Sequence, residues 1–213
     1  MDKFGKSQSV TRVEDIRFLT GQGRYIDDIS PEGALRLVVV RSSVAHARII
    51  AIDTEAARAV HGVHLVVTGA DLNAAGVTYG MGYSVLKNRD GSQAAAPKRP
   101  ILTTDKIRFV GEALAFVVAD TLHAAQEAAE LVDIDYDELP AHMDQAPLRT
   151  PGTDPIHAEA PDNRVFDWAI GDAAATDAAF AKAARVVTLD VDDNRVIINA
   201  MEPRGAFAEW DGA

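Results

Sequence analysis

Thr20-Gly21-Gln22-Gly23-Arg24-Tyr25-Ile26 opens with the glycine spacing that lets backbone N–H groups close around a pyrophosphate. A dinucleotide loop also needs a third glycine, where Ile26 stands, and a strand of useful length ahead of it; the sequence offers neither. A plain turn accounts for the segment better. Gly5-Lys6-Ser7 matches the end of a phosphate loop, but that loop's first glycine would fall before Met1, so the pattern is incomplete. The histidines are His46, His61, His64, His123, His142 and His157. His61 and His64 are three apart, yet Gly62 separates them into a helix end and a strand, and no third metal ligand can be named. Surface or turn histidines are the simpler reading. Asp133, Asp135 and Asp137 share one face of one strand. Ligands spaced along a strand diverge rather than converge on a cation, so a solvated acidic face fits better than a hard-cation site. Neither a Gly-x-Ser-x-Gly elbow nor a His-Glu-x-x-His pair is present. Side-chain chemistry alone gives an α/β domain with no self-sufficient catalytic site.

Composition narrows the partners. Absence of cysteine excludes disulfides, thiolate zinc sites, cysteine-ligated clusters and a cysteine nucleophile within these 213 residues. A net charge of −11 argues against nucleic-acid backbones as partners. No apolar run reaches membrane-spanning length, and Met1-Asp2-Lys3-Phe4-Gly5-Lys6 leads into polar residues rather than an apolar signal core. A cytoplasmic protein is the expectation. A chain of 22.8 kDa hides about 70 % of its unfolded surface on folding, enough core to need no covalent staple.

The elements follow from apolar spacing. Leu35–Val40, Ala47–Ile52 and His64–Thr68 read as strands, and Asp53 or Thr54 can cap a short helix, Glu55 to Val60, that Gly62 ends. Residues 73–100 carry little pattern, and Asn88 to Pro97 reads as an exposed, mobile loop. Phe109 to Ala119 is a long apolar run broken only by Gly111 and Glu112. Thr121 caps a helix with Leu122, Ala125, Ala129 and Val132 near one face, and Val132 to Asp137 alternates as a half-buried strand does. Strand, helix and strand here predict an α/β unit. Pro147, Pro151, Gly152, Pro155 and Pro161 predict an extended linker to a second region. Beyond it, Asp172 to Ala184 reads as an Ala-rich helix anchored by Phe180, and Val187-Leu189-Val191 as a strand. Gly205 to Trp210 reads as a last strand, followed by Asp211-Gly212, a strong hairpin signal. The second strand of that hairpin is expected from another polypeptide, because an unpaired edge is a poor end for a domain.

Several ordered segments resemble one family. Arg12-Val13-Glu14-Asp15 through Phe18–Asp28 is similar to the opening of the large subunit of molybdenum hydroxylases, the family of xanthine dehydrogenase, aldehyde oxidase and aerobic carbon-monoxide dehydrogenase. Pro100-Ile101-Leu102, Val110–Ala119, Ala125–Val132 and Asp135–Ala141 resemble its hammerhead core. Gly171-Asp172, Phe180-Ala181, Ala184, Val186-Val187 and Met201–Ala206 resemble the first elements of its molybdenum-binding region.

The resemblance implies an α+β fold: an N-terminal extension (1–19), an α/β hammerhead domain (20–144), a linker (145–163) and the incomplete start of a molybdenum-cofactor-binding domain (164–213). It implies a non-catalytic N-terminal part or split subunit of an oxidoreductase that oxidises an aldehyde, purine or N-heterocycle and is not active alone. It further implies molybdenum-molybdopterin cytosine dinucleotide, held mainly by segments outside this chain, with FAD and 2Fe-2S in partner subunits. The implied partners are the remaining molybdenum-domain chain, an iron–sulfur subunit and a flavin subunit. No catalytic residue or metal ligand is assigned here, and no cofactor contact firmly. Glu202, Arg204 and Asn199 are the pocket-adjacent candidates, Glu202 first, and pairing of Glu202 and Arg204 within the fold is the plainer alternative. Asn194 to Ala200 departs from relatives that place Gln and His ahead of the glutamate. A stand-alone hammerhead that docks a partner or small molecule without redox activity is the alternative function. The sequence assigns no role to the loop from Tyr83 to Lys98.

Overall fold

The computed structural model describes residues 10–77, 86–143, 152–191, 193, 194, 196–200 and 202–212. Its contacts divide the chain into two compact units, Leu35–Val186 and the paired ends Met1–Ala34 with Val187–Ala213. The larger unit holds two three-stranded antiparallel sheets. In one, β5 (Ala113–Ala119) lies between β1 (Arg36–Arg41) and β3 (Val63–Thr68). In the other, β2 (Ala47–Asp53) lies between β4 (Lys106–Ile107) and β6 (Asp133–Glu138).

β5 is central because its sequence is apolar on both faces. Ala115, Val117 and Ala119 pack with Val40, Val66 and the helix residues Ala57, Ala125 and Ala128. Leu114, on the opposite face, packs with Ala47 and Ile107, against which Ile49, Ile134 and Tyr136 lie. Helix α4 (Leu122–Glu130) covers β1 and β5. Alanines at its contact positions let it sit close to the sheet. Its stripe runs through Ala125, Ala128 and Val132, while Leu122, predicted on that face, is 53 % exposed. At 3.6 residues per turn Leu122 falls at the stripe's edge.

The expected strand, helix and strand form in that order, and the structure adds how their strands pair. β5 and β6 are joined through α4 but lie in different sheets, each with antiparallel neighbours. β6 does alternate as expected, with Asp133, Asp135 and Asp137 exposed and Ile134 and Tyr136 half-buried. Helix α2 is shorter than predicted, Glu55–Arg58; Asp53 Oδ1 accepts from Glu55 N–H at 2.8 Å, and Gly62 takes the positive φ of 83° that turns the chain into β3. Helix α3 (Gly69–Ala74) was not predicted; a capping box opens it, Thr68 Oγ1 accepting from Asp71 N–H and Asp71 from Thr68 N–H.

The segment predicted as a mobile loop is held. Lys87 bridges to Gln93, Ala94 is buried, Ala95 N–H donates to Val165 O, and Arg89 N–H to Asp167 O. The proline-rich stretch likewise does not hang free over its described part. It belongs to the larger unit, with Lys106 Nζ donating to Pro155 O at 2.8 Å. Proline brings acceptors without N–H donors, so side-chain donors fasten such a strap. Residues 83–85 of the loop and 145–151 of the linker lie outside the described residues. Helix α5 (Ala173–Lys182) forms as predicted, Asp172 Oδ1 accepting from Ala175 N–H, but Phe180 is exposed rather than an anchor.

The smaller unit contains α1 (Asp15–Leu19) and a 3-10 turn, Ile26–Asp28. The predicted strands at Val187–Val191 and Gly205–Trp210 are not formed among the described residues. Val187 and Leu189 are each 80 % exposed. A strand is stabilised by pairing across it, and here no ladder is supplied.

Two substitutions test this packing. Gly69→Ala places a Cβ 2.7 Å from Leu102 O and 3.1 Å from Thr103 O, backbone atoms that cannot swing aside; urea unfolding is expected to show a loss of about 1–3 kcal/mol. Thr121→Ala removes the oxygen that accepts from Ala124 N–H at 3.1 Å and is expected to cost about 1 kcal/mol in the same assay.

Candidate functional site

Within the larger unit a cavity of about 470 Å³ opens between Pro97–Pro100, the β4–β5 turn and His157. The turn is set by Gly111 at φ 88°. Gly111 N–H donates to Ser42 O at 2.8 Å, and Ser42 N–H donates back to Glu112 O at 2.9 Å. Arg41 Nη1 donates to Gly111 O at 2.9 Å. This frame holds Glu112, 7 % exposed, with its carboxylate turned to accept from Arg108 N–H at 2.6 Å. Burial pushes the Glu112 carboxyl above its usual range, against the pull of that hydrogen bond and the Arg108 charge.

The Arg108 guanidinium does not face the cavity unengaged. Nε donates to Ile156 O at 3.3 Å, Nη1 to Lys106 O at 2.7 Å, and Nη2 to the Asp105 carboxylate at 3.1 Å. Burial opposes ionisation of Asp105, but the Arg108 hydrogen bond and charge outweigh it and hold that carboxyl low. Burial, reinforced by Arg108, lowers both Lys106 and His157. At the rim, Arg99 lies over the Phe109 ring, 5.6 Å from its centroid. Of these groups Lys106 and Arg108 fasten the 153–157 strap, at the carbonyls of Pro155 and Ile156; none of the side chains lining the cavity is a hydroxyl or thiol nucleophile. One signal for this cluster was visible beforehand: a single carboxylate inside the apolar run from Phe109 to Ala119 must be buried with a partner.

The residues singled out in sequence lie elsewhere, in the smaller unit. Glu202, Arg204 and Asn199 are all exposed. Glu202 Oε1 accepts from Ile26 N–H at 3.0 Å. Among the described residues Glu202 and Arg204 form no ion pair with each other. The histidines divide differently from expectation. His64 Nε2 pairs with Asp120 Oδ1 at 2.7 Å on the surface. His46 is buried, its Nδ1 2.8 Å from Pro140 O while Leu139 N–H donates to His46 O, a two-point clasp at the end of β6. Among the described residues no three His, Asp or Glu side chains converge as metal ligands, and no helix is long and apolar enough to cross a membrane.

Comparison with known proteins gives a consistent picture. Residues 20–140 match the family described as aldehyde oxidase and xanthine dehydrogenase, a/b hammerhead domain, and residues 156–213 match the molybdopterin cofactor-binding domain. The chain is 37 % identical over 205 residues to the nicotine 6-hydroxylase large subunit of Paenarthrobacter nicotinovorans, covering 95 % of this chain and 24 % of that protein. It is 38 % identical over 192 residues to the carbon monoxide dehydrogenase large chain of Afipia carboxidovorans, covering 84 % and 22 %. The structure of reconstituted CO dehydrogenase from Oligotropha carboxidovorans superposes with a TM-score of 0.69 at 37 % identity, over 84 % of this chain and 22 % of that one. The chain thus spans about a quarter of the length of these relatives.

Glu112 gives a pH test. Its carboxyl is raised in the fold, so folding favours the protonated form. That preference is fully met below the ordinary value of 4.5 and is lost as pH rises through the raised value. Glu112→Gln keeps an acceptor for Arg108 N–H without the buried charge. Chemical denaturation is expected to show the variant more stable than wild type at neutral pH, the difference closing as pH falls into the carboxyl range.

Proposed function

The chain belongs to the aldehyde oxidase and xanthine dehydrogenase family, and from that membership we propose that it is a non-catalytic N-terminal part or split subunit of a molybdenum-dependent hydroxylase or dehydrogenase. The observation that supports this most is order: a hammerhead match followed in register by a molybdopterin-domain match, within a quarter of the relatives' length. In this reading residues 20–144 form the hammerhead domain, 145–163 the linker, and 164–213 the first elements of the cofactor domain.

The side chains at hand do not fit as molybdenum ligands. The Glu202 carboxylate is engaged by Ile26 N–H, and Asn199 and Arg204 offer an amide and a guanidinium, which bind polar ligand edges rather than metals. We therefore assign molybdenum-molybdopterin cytosine dinucleotide mainly to the remainder of the subunit, whether it follows in the same polypeptide or in another chain. FAD and 2Fe-2S then belong to a flavin subunit and an iron–sulfur subunit, and the substrate is an aldehyde, purine or N-heterocycle. Glu202, Arg204 and Asn199 remain candidates for the pocket's margin. The apolar residues Val187, Leu189, Val196, Ile197 and Ile198, all at least 80 % exposed, are of the kind that a completed domain would cover.

Co-production of this chain with the remaining three-quarters of the subunit and the two redox subunits, followed by metal analysis, tests the proposal. Molybdenum is expected in the complex and not in the chain alone. A folded monomer that captures neither metal nor the rest of the subunit supports a free-standing hammerhead module instead.

A further inference from the structure

The turn at the start of the hammerhead match packs with the other end of the sequence. The family match places residues from 20 onward in the hammerhead, yet Arg17–Asp28 falls in the compact unit shared with Val187–Ala213. This turn is ordered from within. Phe18 and Tyr25 stack with centroids 5.8 Å apart and planes 4° from parallel. Gly23 leaves room for the Phe18 ring, which a Cβ there would strike. Gln22 N–H donates to Arg17 O at 2.8 Å, and Tyr25 N–H to Asp28 Oδ2 at 2.9 Å.

One backbone donor is satisfied from far away. Ile26 N–H, at the head of the 3-10 turn, donates to Glu202 Oε1 at 3.0 Å across 176 residues. Three residues further along, the chain presses on the same isoleucine: a Cβ on Gly205 would sit 2.7 Å from Ile26 Cγ1 and 3.2 Å from Cγ2. Gly205 is not among the glycines of positive φ, so the backbone does not demand glycine there. The bare Cα is needed for close approach alone. Glu202 and Gly205 thus grip Ile26 by its main chain and its side chain together. No strand ladder holds residues 202–212, so their path depends on such contacts.

We infer that the Arg17–Asp28 turn, at the start of the hammerhead match, is docked in a Glu202–Gly205 socket for Ile26 and so works together with the segment that opens the cofactor region. Glu202 is then a positioning residue: it fixes the segment that carries Arg204, and its carboxylate is engaged in doing so. The functional half of this inference rests on the reading of the chain as part of a molybdenum hydroxylase; the socket stands on its own geometry.

Hydrogen exchange at the Ile26 amide, measured on the 213-residue chain, reads the socket directly. Glu202→Ala is expected to speed exchange about tenfold, because a hydrogen bond to a charged acceptor is lost. Glu202→Gln keeps a side-chain carbonyl and is expected to restore most of the protection. Gly205→Ala is expected to open the turn, and adding Ile26→Ala to it to close it again by removing the carbons it strikes. Unchanged exchange in Glu202→Ala and Gly205→Ala overturns the socket. In the assembled enzyme, Glu202→Ala is expected to lower molybdenum content, with Glu202→Gln restoring it. Full molybdenum content and unaltered kcat and KM in Glu202→Ala, alongside faster Ile26 exchange, overturn the functional role. A wild-type assembly that holds no molybdenum points instead to failure of the family-based reading, and Ile26 exchange still decides the socket.

Discussion

Strand β5 is committed on every side. Its backbone is hydrogen-bonded to β1 along one edge and β3 along the other, and side chains from both of its faces enter a core. An apolar strand of this kind is stable only if both ladders form and both faces are covered. That requirement recruits α4 to one face and draws Leu114 into the packing around β2 and β4 on the other. Small side chains set the spacing: Ala115, Ala119, Ala125 and Ala128 are each wholly buried. Close approach of helix to sheet recovers in dispersion contact what the alanines lack in individual area.

Charge inside this unit serves attachment. The chain is strongly acidic, yet Lys106 and Arg108 stand together under the strap and donate to the carbonyls of Pro155 and Ile156. Prolines leave the strap short of donors, and cationic side chains supply them. Burial lowers Lys106 most, repulsion from the Arg108 cation adds to it, and the Asp105 charge offsets part of the shift. Glu112 is held in the same cluster by one backbone N–H. The cavity there is thus lined in part by Arg108, which is already engaged in holding the strap.

The ends of the chain obey a different rule. Where no ladder forms, Phe18–Tyr25 stacking and the grip on Ile26 are what give the segments definite positions. Apolar side chains from Val187 to Ile198 stay in solvent, which is unfavourable by the measure of area removed from water.

Local signals settled a good deal. The apolar runs of β1, β2, β3 and β5, the alternation of β6, and the cap at Thr121 are properties of short stretches, so each could be read without neighbours, as could the family from its ordered motifs. What needed the folded chain was everything that depends on a partner distant in sequence. Sheet membership separated β5 from β6, the carbonyls of Val165 and Asp167 tied down a loop that composition made look free, and the strands expected at Val187–Val191 and Gly205–Trp210 did not form where nothing among the described residues paired them. Glu202 stood out by its motif, but its carboxylate's use was set by Ile26, 176 residues away. Propensity and capping act within a few residues along the chain, whereas pairing and burial are decided by which surfaces meet.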